Sequence, residues 1–298
     1  MTNLLFVMNP FAGTRKVSKV LPEILSLFSR AGYKVTIYMT NGTGDCEAYV
    51  RTHARDADLV VCSGGDGTFN ETVSGLLRSC VNIPVGYIPG GSTNDFAASL
   101  KLSTDPIQAT KDIISGHVKT FDIGMFGDRY FSYVASFGAF TRVSYSTPQS
   151  IKNTLGHTAY LLSGIQELSQ IRPVPVRLEA NGQIIEDQFI FGAICNSTSV
   201  GGVLTLDANQ VDLQDGKFEI LLVRAPKDLG ELGECIIALQ QKQYNCKMIT
   251  FLSTDKVRIQ IGRDVDWALD GEWAAGHSVI EAENLHHAYQ LIVPGDAE

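Results

Sequence analysis

Apolar and polar positions along this chain follow two different rhythms. Over the first third, short apolar runs alternate with stretches whose apolar residues recur three and four apart. Residues 4–8 form one such run, and in 17–31 Val20, Ile24, Leu25, Leu27 and Phe28 line one side of a helix. Residues 35–39 predict a second strand, with a helix over 46–55. Residues 58–62 predict a third, buried strand, and Phe69, Val73, Leu76 and Leu77 share one face of the helix after it. Residues 84–89 predict a strand leading into a helix near 95–100. Strands alternating with helices imply parallel βαβ units, a sheet with helices on both faces and so a three-layer α/β domain. After about Asp122 the texture changes. Strand-like runs fall at 130–137, 174–180, 184–195, 218–223, 257–261 and 278–283, with helical texture over 149–171 and 228–240. Asn181-Gly182, between two of these runs, is a hairpin signal because both residues tolerate φ > 0. A second, mainly antiparallel β domain is expected, and residues 289–293 fit either domain.

Composition narrows the class. The chain has 298 residues, enough for two cores, and 44% hydrophobic with 19% charged residues describes a globular protein. A net charge of −8 without a basic stripe argues against a nucleic-acid partner and against passive attraction to anionic membranes. The six cysteines are scattered without C-x-x-C spacing, which predicts reduced, packed thiols and a cytoplasmic setting. The run at 4–8 is too short for a signal peptide, and no apolar stretch approaches a membrane span.

Candidate chemistry concentrates at the carboxyl ends of the predicted parallel strands, where such sheets bind ligands. Four turns lie there: 9–14, 40–45, 63–68 and 90–95. The third reads S-G-G-D-G-T, between a strand and a helix, where backbone N–H groups can surround phosphate oxygens. Glycine permits φ > 0 and close backbone approach at such a cradle. Asp66 inside it would repel phosphate unless a divalent cation or an ordered hydrogen-bond network intervened, which suggests a nucleoside triphosphate with Mg²⁺. Asp66, Thr68 and the second loop, G-G-S-T-N-D at 90–95, favour nucleotide binding over an empty turn. Ser92, Thr93, Asn94 and Asp95 are helix N-caps or nucleotide contacts. Arg15, Lys16 and Lys19 form a small basic cluster beside the same edge, suited to phosphate. There is no G-K-[ST] and no Rossmann fingerprint.

N-P-F-A-G at 9–13, S-G-G-D-G-T-F-N-E at 63–71, G-G-S-T-N-D-F-A at 90–97 and D-G-E at 270–272 together resemble bacterial diacylglycerol kinase-type lipid kinases, a group related to sphingosine and ceramide kinases. The likeness spans nearly the whole chain, in order. It implies an α/β nucleotide-binding domain over 1–122 with 285–298 returning to it, a β-sandwich domain over 123–284, and an active cleft between them. It implies nucleotide contacts at Asn9, Pro10, Phe11, Ala12, Gly13, Thr40, Gly64, Gly65, Asp66, Gly67, Thr68, Phe69, Asn70 and Ser92. Asn94, Asp95, Arg15 and Lys16 extend that set by position. Ala12 stands where the family more usually has Ser, which removes one hydroxyl. The resemblance further implies a structural Mg²⁺ loop with Asp212, Asp215 and the Lys217 carbonyl as ligands, and Asp122 near the metal network. Asp270 or Glu272 is the expected general base, with Asp66 also catalytic. ATP and Mg²⁺ are the implied cofactors, and a lipid hydroxyl, diacylglycerol first, the implied acceptor, met transiently at the inner face of a membrane. An NAD kinase-like enzyme and a non-catalytic nucleotide-binding regulator are the alternatives, and a homodimer is left open. His286-His287 is expected to be surface.

Overall fold

The computed structural model describes residues 2–92, 94–138, 172–200, 204–262 and 265–295. The helix expected over 149–171 lies outside them, as does Thr93. The chain divides into two compact units, residues 1–123 with 286–298, and residues 124–285.

The first unit is built from β1 (Thr2–Met8), α1 (Lys16–Arg30), β2 (Tyr33–Met39), α2 (Asp45–His53), β3 (Leu59–Gly64), α3 (Asp66–Ser79), β4 (Val85–Pro89), α4 (Asp95–Ser99), α5 (Pro106–Ser115) and the first part of β5 (His117–Phe126). Strand pairs β1–β2, β1–β3 and β3–β4 are all parallel. The central strands are buried along their length, so they read as continuous apolar runs without alternation. Leu4, Phe6, Met8, Ile24, Phe28, Val61, Ile88 and Ile113 share one core. Helix α5 was not expected from periodicity, although its start signal is present: Pro106 occupies the first turn, and the Asp105 carboxylate accepts the Gln108 N–H at 2.8 Å.

The second unit holds β6 (Arg129–Phe131), β7 (Val134–Gly138), β8 (Val174–Ala180), β9 (Gln183–Cys195), β10 (Ser199–Val200), β11 (Leu204–Thr205), β12 (Phe218–Arg224), α6 (Leu229–Gln240), β13 (Ile249–Thr254), β14 (Lys256–Gln260), β15 (Trp267–Leu269), β16 (Glu272–Ala274) and the first part of β17 (Val279–Val293). Its strands pair antiparallel. Asn181 and Gly182, at φ 51° and 71°, turn β8 into β9 as the sequence predicts. Trp267, Phe131, Phe137, Phe189, Phe218 and Leu178 lead its core.

Three differences from the sequence expectation have physical causes. Residues 130–137 are not one strand: the chain breaks at Ser132–Tyr133, where backbone N–H groups turn to a carboxylate described below. Residues 278–283 and 289–293 are one strand, β17, whose last residues pair with β4. Periodicity missed that continuity because alternation fails at His286 and His287, both exposed, the second at φ 50°. Strand β13 was also missed. Among the described residues the thiols are free. Cys46, Cys62, Cys195 and Cys235 are buried, and burial pushes Cys46 up to about 12.

Candidate active site

Three loops meet at the carboxyl ends of β1, β3 and β4. The Asn9 N–H donates to the Ser63 carbonyl at 2.8 Å, and the Gly90 N–H to the Gly64 carbonyl at 2.7 Å. A Cβ on Gly13 would lie 2.4 Å from the Gly90 oxygen, and one on Gly91 would lie 2.5 Å from Gly65 Cα. The glycines therefore serve loop-on-loop contact. Gly13 does sit at φ 48°, but Gly65 is extended at φ −84°, so the 63–68 loop is glycine-rich for proximity and not for left-handed backbone. Around this junction Phe11 is 67% exposed with the Arg15 guanidinium over its ring at 5.5 Å. Gly13, Arg15, Lys16, Lys19 and Ser92 are exposed, and Asn9, Pro10, Ala12 and Asn70 are half-buried. Lys16 opens α1, so its ammonium stands at a positive helix end, where an anion is favoured.

The two acidic residues of the 63–71 motif face helix starts. Asp66 opens α3 and is buried. Its Oδ2 accepts the Asp95 N–H at 3.0 Å and its Oδ1 the Phe96 N–H at 3.2 Å, which caps α4 from outside. Glu71 does the same for α2, accepting from Gly44 N–H at 2.7 Å and Cys46 N–H at 3.1 Å. A carboxylate among these turns is thus stabilised by backbone donors and helix dipoles. For Asp66 the sequence argument asked for a cation or an ordered hydrogen-bond network, and the described contacts include such a network. Glu71 carried no expected role, and the signal that marks it is a carboxylate inside a loop-helix motif with no basic partner nearby in sequence.

Several residues expected to touch nucleotide also bond or pack within the scaffold. The Phe69 side chain is fully buried and stacks on Phe96 at 4.4 Å, and its N–H bonds the Gly65 carbonyl. The Asn94 amide closes its own loop, accepting from Gly91 N–H at 2.9 Å and donating to the Gly91 carbonyl at 3.0 Å. It does not cap α4 through its side chain. Thr40 and Thr68 are buried; the Thr40 N–H ends the β1–β2 ladder at the Met8 carbonyl, 2.9 Å away. Gly64 lies against Thr68, whose Oγ1 would be 2.3 Å from an added Cβ. Gly67 falls within α3.

In the second unit, Asp270 and Gly271 form the two-residue turn between β15 and β16, at φ 50° and 84°, the signature of a type I′ hairpin. Of the two candidate bases, Asp270 turns inward. It is 7% exposed and accepts from Ser132 N–H at 2.5 Å, Tyr133 N–H at 2.9 Å and Val134 N–H at 3.0 Å. Glu272 is only partly buried and stands 3.7 Å from Arg129 Nη2, while Arg129 Nη1 donates to the Trp273 carbonyl at 3.2 Å.

The 212–217 loop leads into β12. Asp212 and Asp215 are exposed, each accepting a backbone N–H two residues on: Gln214 at 3.0 Å and Lys217 at 2.9 Å. The Lys217 carbonyl accepts from Asn284 Nδ2 at 2.7 Å. Beside the loop, Glu219 is buried with Oε2 unpartnered, and burial, followed by the Asp215 charge, pushes its carboxyl up to about 8. Oxygen-only donors with an orphaned buried carboxylate oxygen fit a hard cation. Asp122 lies in the first unit, on β5. It is buried and accepts His287 N–H at 2.7 Å, with His286 Nδ1 at 3.0 Å. Among the described residues, Asp122, His286 and His287 are the one trio of ligating side chains drawn within 4.8 Å. The histidine pair is exposed as expected, yet tied to a buried carboxylate.

Comparisons with known proteins agree with this arrangement. Residues 3–126 match the model of the diacylglycerol kinase catalytic domain, and residues 134–292 that of the YegS C-terminal NAD kinase beta sandwich-like domain. A diacylglycerol kinase of Bacillus subtilis (strain 168) is 30% identical over 290 residues, covering 97% of this chain and 95% of that one. One of Staphylococcus aureus (strain MRSA252) is 31% identical over 296 residues, covering 97% and 92%. A crystal structure from Bacillus anthracis str. Sterne, described as a candidate diacylglycerol kinase, superposes with a TM-score of 0.82 at 25% identity, covering 98% and 95%. The chain belongs to the diacylglycerol kinase family of ATP-dependent lipid kinases.

Proposed function

We propose that this protein transfers the γ-phosphate of ATP to the free hydroxyl of diacylglycerol, giving phosphatidic acid. The observation that carries the reading is the three-loop junction of 9–13, 63–68 and 90–94, where glycines bring backbone together at the carboxyl edge of a parallel sheet. The triphosphate would lie along that edge, met by the exposed 9–13 loop, Ser92 and the first turn of α1. Arg15 and Lys16 would offset its charge. Asp66 acts by holding the 90–95 loop, and through it the edge, in place. Phosphoryl transfer asks little covalent chemistry of a protein; positioning and charge do most of the work.

The D-G-E turn would supply the base for the acceptor hydroxyl. A carboxylate offers about four lone-pair sites, and three at Asp270 already receive backbone donors. Asp270 therefore fixes the turn, and Glu272, partly exposed and loosely paired, is the group free to take a proton. Asp212, Asp215 and the Lys217 carbonyl would hold Mg²⁺, which when bound supplies charge neutralisation and rigidity to the entry of β12. The acceptor would be met transiently at a membrane surface; no described helix is long and apolar enough to cross a membrane.

The test is product analysis of purified protein with ATP against mixed micelles of diacylglycerol, sphingoid base, polyprenol or phosphatidylglycerol, and against NAD. Labelled phosphatidic acid is expected. Faster phosphorylation of another lipid overturns the acceptor, and faster phosphorylation of NAD overturns lipid phosphorylation altogether.

A further inference from the structure

The protein has two tryptophans, and the second unit uses them in opposite ways. Trp267 on β15 is 1% exposed and sits in the core of that unit, whereas Trp273 on β16 is 58% exposed. The two strands pair antiparallel, with Trp267 opposite Ala274 and Trp273 opposite Ala268. Trp267, Leu269 and Ala274 enter the core, so strand alternation turns Trp273 to the other face. Its cross-strand neighbour there is an alanine, too small to cover an indole, and β16 ends the order of described strands.

A single exposed apolar side chain is ordinary, but the support and surroundings of Trp273 are not. The Trp273 carbonyl accepts from Arg129 Nη1 at 3.2 Å, and the turn before β16 is pinned by the three backbone N–H groups on Asp270. The indole is therefore held out on a braced edge. From Trp273 to Val279 the chain reads W-A-A-G-H-S-V, a run without a carboxylate in a protein of net charge −8. Ala275, His277, Ser278 and Val279 are exposed with it. The neighbouring cation, Arg129, is 43% exposed and meets Glu272 only at 3.7 Å. An indole joins an apolar body to one N–H donor, the combination that settles between lipid headgroups and acyl chains. A surface free of carboxylates escapes the repulsion that the rest of this acidic chain meets at lipid phosphates.

We propose that Trp273 is the membrane anchor of this protein, its indole entering the headgroup layer of the bilayer that holds the acceptor. The inference rests on reading Glu272 as the base for a membrane-borne hydroxyl. Trp273 is the next residue in the chain, so the anchor sets that carboxylate at the depth where a lipid hydroxyl emerges. One aromatic anchor gives weak, reversible attachment, which suits an enzyme that must leave its product for another acceptor.

The test uses the emission of the full-length protein. Because Trp267 is shut in the core, a change in accessible tryptophan reports Trp273. Phosphatidylcholine vesicles, with and without diacylglycerol, are titrated in while emission and iodide quenching are followed. A blue shift with loss of quenching is expected. Trp273→Ala should abolish both and bind sedimented vesicles on the order of tenfold or more weakly, the scale of one aromatic's lost apolar contact. Trp273→Phe should keep most of the binding. With vesicle-borne diacylglycerol Trp273→Ala should lose turnover to a similar extent, yet match wild type on a water-soluble short-chain diacylglycerol. Equal loss on both acceptors overturns the anchor, since Trp273 would then serve the fold or the reacting site. So does wild-type emission that vesicles leave unchanged, or a shift that follows protein concentration without lipid, the sign of contact between copies. If wild type phosphorylates neither form of diacylglycerol, the proposed function fails, and emission and sedimentation still decide whether Trp273 enters a membrane.

Discussion

Asp270 and Glu272 stand on either side of one glycine yet ask for different experiments. Asp270 receives three backbone N–H groups, so Asp270→Asn is isosteric without being neutral: its amide nitrogen would present a donor to a donor. Hydrogen bonds to charged groups are worth about 1.5–3 kcal/mol each, and losing one or two should lower the melting temperature along with activity. Among the described residues the Glu272 carboxylate has only its long pair with Arg129, so Glu272→Gln should leave the unfolding transition unchanged. Its kcat on the lipid acceptor should fall by about 10²–10⁴-fold with KM for ATP near normal. Wild-type kcat in Glu272→Gln would remove it from the chemistry. Asp66→Asn loses one of two acceptors at the start of α4. It should loosen the 90–95 loop, seen as a raised KM for ATP and a lower melting temperature together. A loss of kcat with neither change would mean that Asp66 acts at the reacting atoms.

At the scale of elements, the nucleotide edge depends on loops that touch through missing side chains. Gly91→Ala would place a methyl 2.5 Å from Gly65 Cα, and because that neighbour is backbone no rotamer change relieves it. The loops must part, and misplacement of about 1 Å at a phosphate site costs on the order of 10²-fold in kcat/KM. Steady-state kinetics at varied ATP checks this. Gly42→Ala, with nothing near its Cβ, is the control that should stay close to wild type. The chain passes between its two units inside β5 and inside β17, and Asp122 joins these strands by accepting from His287 N–H. His287 is held at φ 50°, a cost that this bond helps to offset. Asp122→Ala should therefore raise amide exchange locally over 286–288 before it alters exchange in β1 or β3.

For the whole molecule, pH acts on stability through Glu219. Its folded carboxyl titrates at about 8, above the usual value near 4.3, so between those values the native state holds a proton that the unfolded chain has released. Stability present below the unfolded value is lost as pH rises toward about 8. In chelator, wild type should melt lower at pH 8.5 than at pH 6, two conditions chosen to bracket roughly that folded value, and Glu219→Gln should lack this component. Equal slopes would place the titration elsewhere. The sequence alone determined the architecture, because periods of 3.6 and 2 report which face of each element is buried, and buried parallel strands read as unbroken apolar runs. It also located the loops at the strand ends, since glycine clusters and Asn-Gly or Asp-Gly turns are local backbone chemistry. Tertiary structure decided what each polar side chain does there. Asp66 reads as a site carboxylate and Glu71 as part of the same motif without a role, but both cap helices whose bonded N–H groups lie 29 and 27 residues away. Asp270 meets N–H groups from 136–138 residues earlier in the chain. Glu219 looks like any polar residue at the start of a strand until its neighbours across β9 and β13 close over it. Periodicity and turn chemistry are properties of adjacent residues, whereas the partner of a buried charge is chosen by the packing of distant ones.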